Sequence, residues 1–197
     1  VKPILLASAS ATRARLLAAA CVDFEVAVSG VDEGTLKARW IVEGHTPRRI
    51  AGGLAKAKAL AVAAHRSAVV VGADQTLEFE GRQFDKTTSL DETRSLLMRL
   101  RGQVFHLHAG VAVAEEGAVI WEETHSARLT MRPFTDAFLD GYLARNGDRL
   151  ASSLGGFELE AEGAQLFDEI EGDVFAILGL PMLPLLKALR RAGALAQ

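Results

Sequence analysis

Ile4-Leu5-Leu6-Ala7-Ser8-Ala9-Ser10-Ala11-Thr12-Arg13 holds the turn on which the fold class depends. Ile4 to Ala7 is an apolar run of buried-strand length, and the Ala/Leu/Arg segment from Thr12 to Ala20 has high helix propensity. Ser8 and Ser10 lie between them, so the unit reads as strand, serine turn, helix. A helix opening at such a turn aims its first N–H groups and the positive end of its dipole at the turn, where an anion can sit. Ser8 and Ser10 add hydroxyl donors, and Arg13 adds a planar fork matched to phosphate oxygens. The same residues also read as an ordinary serine cap with a solvated arginine, so a phosphate cradle needs support from elsewhere in the chain.

Reading outward, Thr46-Pro47 is a helix-start pair, and Ile50, Leu54, Ala57 and Ala61 repeat at helical spacing with Lys58 on the flank of that face. Ala68 to Gly72 predicts a short buried strand with Ala73-Asp74-Gln75-Thr76 at its C-terminal end. Leu90 to Arg101 predicts a helix, Val104 to Ala114 and Ala118 to Trp121 strands, and Ala127 to Arg132 a further strand that Pro133 stops. Thr135 caps a helix through Arg145 with Phe138, Leu139, Tyr142 and Leu143 inward, and Leu183 to Ala192 forms a last helix. The pattern is mixed α/β. With no repeat, low-complexity tract or long linker, residues 1–197 are expected to form a single domain. Candidate ligand residues come from the first, middle and late thirds of the chain, which suggests a sheet with two lobes around a cleft.

The 197 residues are 49% apolar, ample for a core, and carry a formal net charge of −3. That balance offers no global attraction to nucleic acid or to an anionic membrane, and favours a small anionic ligand bound by local basic residues. The single cysteine, Cys21, lies among Ala18, Ala19, Ala20 and Val22, where a buried thiol in a reducing compartment is expected. The start, VKPILLAS, lacks the basic and apolar regions of an export signal, and no apolar stretch reaches the ~20 residues that span a bilayer. A cytoplasmic protein is the expectation.

There is no GxxxxGK[ST] loop, no GxGxxG after a strand, no CxxC and no HExxH. The polar residues that simple structure does not require are Asp74 after a buried strand, Glu33 in Val31-Asp32-Glu33-Gly34, Lys58 beside an apolar helix face, and Lys86 after Phe84-Asp85. Hydrolysis of a phosphoanhydride needs an in-line water, a base or metal to activate it, and cations to neutralise the phosphoryl oxygens. These two acids and two lysines supply all three functions. Taken singly they also read as a turn residue, a surface acid and solvated lysines. His106 and His108 alternate along one predicted strand without a third ligand at metal spacing, and read as strand residues. Trp40 and Trp121 read as packing residues.

The motifs LASAS-x-x-R (Leu6 to Arg13), VDE (Val31 to Glu33), LAxxKAxA (Leu54 to Ala61), GADQT (Gly72 to Thr76), a downstream Lys86, and EGxxxxxxGLP (Glu171 to Pro181) occur in that order. In this the chain resembles the Maf family over nearly its whole length. The resemblance implies an elongated mixed β-sheet flanked by helices, a cleft between two lobes, frequent homodimers, and a pyrophosphatase that depends on a divalent metal such as Mg²⁺ or Mn²⁺. It implies hydrolysis of a nucleoside triphosphate between its α and β phosphates, while net acidity and the lack of a basic stripe argue against a nucleic-acid polymer as partner and the lack of a long apolar stretch against a membrane. It puts Asp74 in the proton-acceptor place, and Ser8, Arg13, Glu33, Lys58 and Lys86 in the phosphate- and metal-handling places, with Glu33 and Asp74 facing the metal. Ser10 joins the phosphate cradle. The chain departs from the family pattern at Ala11, Thr87 and Ala109, where Pro, Pro and Thr are usual.

Three positions bear on the substrate by the same resemblance. Members acting on dTTP and UTP carry Arg, Thr and Gln where this chain has Thr12, Gln75 and Glu160, and the last two are similar to the subfamily that hydrolyses 7-methyl-GTP. A carboxylate only accepts hydrogen bonds, which suits the N1–H and N2–H₂ donors of guanine, whereas a uracil or thymine edge mixes donors and acceptors. Glu160 therefore leans toward guanine. The alternatives are a regulator of septum formation acting through partners, and a house-cleaning enzyme for deaminated purines such as ITP.

Overall fold

The structure is a computed structural model that describes residues 1–196; Gln197, the last residue of the expected 1–197 domain, lies outside the described residues. In chain order the main elements are β1 (Ile4–Ala7), α1 (Ala11–Ala19), β2 (Glu25–Val26), α2 (Glu33–Val42), α3 (Pro47–Ala63), β3 (Val69–Phe79), β4 (Arg82–Phe84) and α4 (Leu90–Leu100). They continue with β5 (Val104–Glu115), β6 (Ala118–Met131), α5 (Asp136–Asn146), β7 (Phe167–Glu171), α6 (Val174–Ile177) and α7 (Met182–Arg191). Among the described residues seven strands form one sheet in the order β2-β1-β3-β5-β6-β7, with β4 paired to β3. β1 runs parallel to β2 and β3, with Ile4 opposite Val69 and Ala7 opposite Gly72, while β3–β4 and β6–β7 are antiparallel. This is the mixed α/β sheet flanked by helices that the sequence predicts.

The chain divides into two compact units. The first comprises Val1–Gln75, His108–Ser126 and the segment from Asp173 onward; the second comprises Thr76–Leu107 and Ala127–Gly172.

In the first unit β1, the start of β3 and the end of β5 are buried on both faces, which is why they read as continuous apolar runs rather than alternating ones. Leu6, Val69, Val71, Val111 and Val113 pack with Leu17 of α1 and with Leu185 and Leu189 of α7. Leu5, Ala7, Val70, Ala112 and Ala114, the alternate residues of the same strands, pack with Ala55, Ala59 and Val62 of α3. Two glycines let α3 lie against its face of the sheet. A Cβ at Gly72 would sit 2.1 Å from the Ala55 carbonyl oxygen, and one at Gly110 would sit 2.4 Å from that of Ala51.

In the second unit Phe105, Phe157 and Phe167 form an aromatic cluster, with Phe157 and Phe167 edge to face at 4.8 Å. The buried Tyr142 donates its hydroxyl proton to the Gly156 carbonyl at 3.1 Å. Burial is the main cause that pushes its phenol above the ordinary value, with Glu162 and Glu158 adding to it.

Four features differ from the sequence reading. The strand expected to end at Gly72 continues to Phe79, because Thr76, Leu77 and Phe79 are buried beyond the polar pair Asp74-Gln75; Asp74 is a mid-strand residue. The two strands expected at Ala118 to Trp121 and Ala127 to Arg132 are one, β6; its middle is polar, with Glu122 paired to Lys56 and His125 to Glu123, so the apolar pattern breaks while the strand does not. Cys21 is exposed, not buried. It has a left-handed φ of 53° and ends α1 in a Schellman turn, its N–H bonding Ala18 O and the N–H of buried Val22 bonding Leu17 O. Finally, α2 has no counterpart in the sequence reading, since none of its residues is buried and it carries no apolar stripe.

Candidate active site

The serine turn after β1 is built as a cap. Ser10 N-caps α1, its hydroxyl accepting from Arg13 N at 3.4 Å, and its own N–H donates to Ser8 Oγ at 3.3 Å. The arginine of this turn is not solvated. Arg13 is 8% exposed, with Nη1 donating to Ser8 Oγ at 2.9 Å and Nε to the Gly179 carbonyl at 2.8 Å. Burial lowers the guanidinium pKa from its ordinary value, opposed by the nearby carboxylates of Asp74 and Glu33. Thr12 is half-buried in the first turn of α1.

Lys58 comes from α3, on the side that the small residues hold against the sheet, and its side chain is 7% exposed. Its Nζ donates to Asp74 Oδ1 at 2.6 Å and pairs with Glu33 Oε1 at 2.9 Å. Glu33 is the first residue of α2, where Asp32 caps the helix by accepting from Thr35 N at 3.0 Å. The Glu33 carboxylate in this first turn complements the positive dipole end. One ammonium thus joins two carboxylates, a buried one on β3 and a half-exposed one on α2. Asp74 Oδ2 is buried and has no hydrogen-bond partner. A buried carboxylate oxygen without a partner is costly unless a cation or proton donor completes it, and oxygen donors suit hard divalent cations. Glu33 and Asp74 therefore fit Mg²⁺ or Mn²⁺ by the chemistry of their donor atoms. Among the described residues no group of three or more His, Cys, Asp or Glu side chains has metal-site geometry.

Gln75, next on β3, turns its amide nitrogen to the Ala176 and Ile177 carbonyls at 3.0 and 2.8 Å. The first unit so brings together Ser8, Ser10, Arg13, Glu33, Lys58, Asp74 and Gln75, and carries Thr12 in the first turn of α1. Lys86 and Glu160 belong to the second unit, both exposed and both in segments without regular structure. The loop that carries Glu160 is held firmly: Asn146 Nδ2 donates to Glu162 Oε2 at 2.7 Å, and Arg145 Nε to Glu162 Oε1 at 2.9 Å. Gly155 and Gly156 have φ of 86° and 75° there, and a Cβ on Gly156 would lie 2.6 Å from Thr93.

Elsewhere His108 is buried and bonded to Ser126 Oγ at 2.7 Å, as befits a strand residue. Trp121 packs on the first unit's core, and Trp40 lies over Gly53, whose missing Cβ leaves it room. Gly179 enters the site through its backbone alone. Its carbonyl anchors Arg13, and the signal for it was the GLP of the C-terminal motif.

The chain belongs to the Maf-like protein family, whose profile matches residues 3–192. It is 51% identical over 193 residues to a nucleoside triphosphate pyrophosphatase of Caulobacter vibrioides, covering 98% of this chain and 97% of that one. It is 44% identical, over 98% of this chain and 97% of the other, to a 7-methyl-GTP pyrophosphatase of Rhizobium johnstonii. A nucleoside triphosphate pyrophosphatase of Paramagnetospirillum magneticum is 43% identical over 97% of this chain and 99% of its own.

Proposed function

We infer that the chain is a nucleoside triphosphate pyrophosphatase, an acid-anhydride hydrolase that yields a monophosphate and pyrophosphate. The observation that carries the reading is the buried Asp74 carboxylate, held at one oxygen by Lys58 and lacking a partner at the other. Family membership and the names of the relatives support the same class of reaction.

In this reading Asp74 accepts a proton from the attacking water at Oδ2. The water oxygen bonds to phosphorus, the bridging P–O bond between the α and β phosphates breaks, and pyrophosphate departs. Lys58 holds the acceptor carboxylate in place and keeps Glu33 beside it. Arg13, set by Ser8 and the Gly179 carbonyl, pairs with phosphate oxygens, and Ser10 and Lys86 add donors to the polyphosphate. A divalent cation, when bound, would be held by Glu33 with Asp74 beside it and would neutralise charge on the polyphosphate. Glu160 reads the base, and its carboxylate favours the two donors of guanine, so GTP and 7-methyl-GTP are the proposed substrates.

The test is a panel of GTP, 7-methyl-GTP, UTP, CTP, dTTP and ITP with purified protein and Mg²⁺ or Mn²⁺, resolving products by chromatography at early times. Monophosphate with pyrophosphate is the expected result, abolished by chelator and restored by the cation. Diphosphate with phosphate would overturn the reaction assignment, and full turnover in chelator would overturn the metal role.

A further inference from the structure

We propose that Gln75 is a positioning residue for Arg13, acting through the backbone of the segment Asp173 to Gly179, rather than a contact to the base. The inference rests on the pyrophosphatase reading for its kinetic test. The short helix α6 ends in a Schellman turn: Leu180 N donates to Phe175 O, Gly179 N donates to Ala176 O, and Gly179 takes the left-handed place with φ of 95°. The last carbonyls of a helix lack donors within it. Gln75 Nε2 supplies a donor to two of them, Ala176 O at 3.0 Å and Ile177 O at 2.8 Å.

The next carbonyl but one, that of Gly179, then takes Arg13 Nε at 2.8 Å. Gly179 lies beside both side chains. A Cβ built there would lie 3.5 Å from Gln75 Oε1 and 3.6 Å from Arg13 Nε and Nη2. Gln75, the turn and Arg13 thus form one connected chain of contacts.

The consequence is a shared origin for two functional groups. Asp74 and Gln75 are successive residues of β3 and point to opposite faces, so one stretch of strand places the carboxylate on Lys58 and clamps the turn that orients the guanidinium. An amide is suited to the clamp: it donates to both carbonyls, whereas a carboxylate at the same place would face two acceptor oxygens and be repelled.

Steady-state kinetics of Gln75→Leu, Gln75→Glu, Arg13→Ala and the Gln75→Leu/Arg13→Ala pair, each with GTP and UTP, tests the proposal. Both Gln75 variants should raise KM by about tenfold, the scale of two lost hydrogen bonds, and equally for the two bases. Turnover should stay within about threefold, because the proton acceptor is untouched. In the Arg13→Ala background Gln75→Leu should add nothing, since both act on one contact. Hydrogen exchange is the second readout: amides of Leu178, Gly179 and Leu180 should exchange faster in Gln75→Leu, and be slowed again when Gln is restored. A KM change that depends on the base, or independent effects in the pair, or unchanged exchange at the turn, would overturn the positioning role. Absence of pyrophosphate release by the unmodified protein would instead overturn the pyrophosphatase reading, and the exchange measurement would still decide the clamp.

Discussion

Lys58 Nζ lies 2.6 Å from Asp74 Oδ1, and the two side chains are 7% and 9% exposed. The pair is asymmetric, because Lys58 has a second carboxylate, Glu33 at 2.9 Å, while the other oxygen of Asp74 has no partner. Removing the lysine strands a buried negative charge; neutralising the aspartate leaves the lysine paired. Lys58→Met should therefore cost about 3 kcal/mol of unfolding free energy, and Asp74→Asn less than about 1 kcal/mol. Urea unfolding of both variants measures the difference, and equal losses would refute this account of the pair.

The same two variants part again in kinetics. Asp74→Asn keeps size and hydrogen bonding but removes the proton acceptor, so turnover should fall by at least ~100-fold in a protein that remains folded. Near-normal turnover would return Asp74 to a structural role.

How much of this could be read in the sequence depended on burial. The unit from Ile4 to Arg13, the cap at Thr46 and the helix after Ser89 carry strong local signals, and each is found as expected. Asp74 and Gln75 interrupt an apolar run, so the sequence pattern ends β3 at Gly72 while the strand continues to Phe79. The helix that holds Glu33 buries no residue and so leaves no periodic trace. Arg13 drew attention for its chemistry, but its anchor is a backbone carbonyl 166 residues away, and a backbone partner leaves no side-chain signature.

Gly72 makes a separate test of how Lys58 is brought to β3. A Cβ there would meet the Ala55 carbonyl oxygen at 2.1 Å and the Ala59 nitrogen at 2.6 Å, both main-chain atoms of α3 that no rotamer change can move. Gly72→Ala should destabilise the protein by roughly 3 kcal/mol, at the upper end for overpacking, and reduce turnover through displacement of Lys58. Thermal unfolding and kcat measured together check it; an unchanged Tm would refute the close approach of α3 to β3 as the reason for glycine at 72.

Glu162 gives the fold a pH signature. The Arg145 hydrogen bond, followed by Asn146 and charge attraction from Arg145 and Arg149, lowers its pKa from the ordinary 4.5. A lowered folded value means that the contact stabilises fully above the ordinary range and is lost as pH falls through the folded pKa. Glu162→Gln should lower Tm at pH 7, and the gap to the unmodified protein should close progressively below about pH 4.5. A gap independent of pH would assign the loss to packing.

The loop that Glu162 secures also presents Glu160, the residue proposed to select the base. Glu160 is solvent-exposed, in a loop whose glycines at 155 and 156 hold left-handed backbone and whose Tyr142 and Asn146 contacts fix its course. A fixed loop can hold a carboxylate where a base edge arrives without first ordering itself, which spares the entropy of immobilisation. Two charge-assisted bonds to N1–H and N2–H₂ of guanine would each contribute ~1–3 kcal/mol, and a glutamine would lose the charge and offer one acceptor oxygen with one mismatched amide. Glu160→Gln should accordingly lower kcat/KM for GTP and 7-methyl-GTP by about tenfold relative to UTP and dTTP. ITP separates the two bonds, since inosine keeps N1–H and lacks the N2 amine, and it should fall between the two groups in the unmodified protein. Parallel kcat/KM values across all bases, before and after substitution, would make Glu160 a solvated loop acid and remove the ground for preferring guanine.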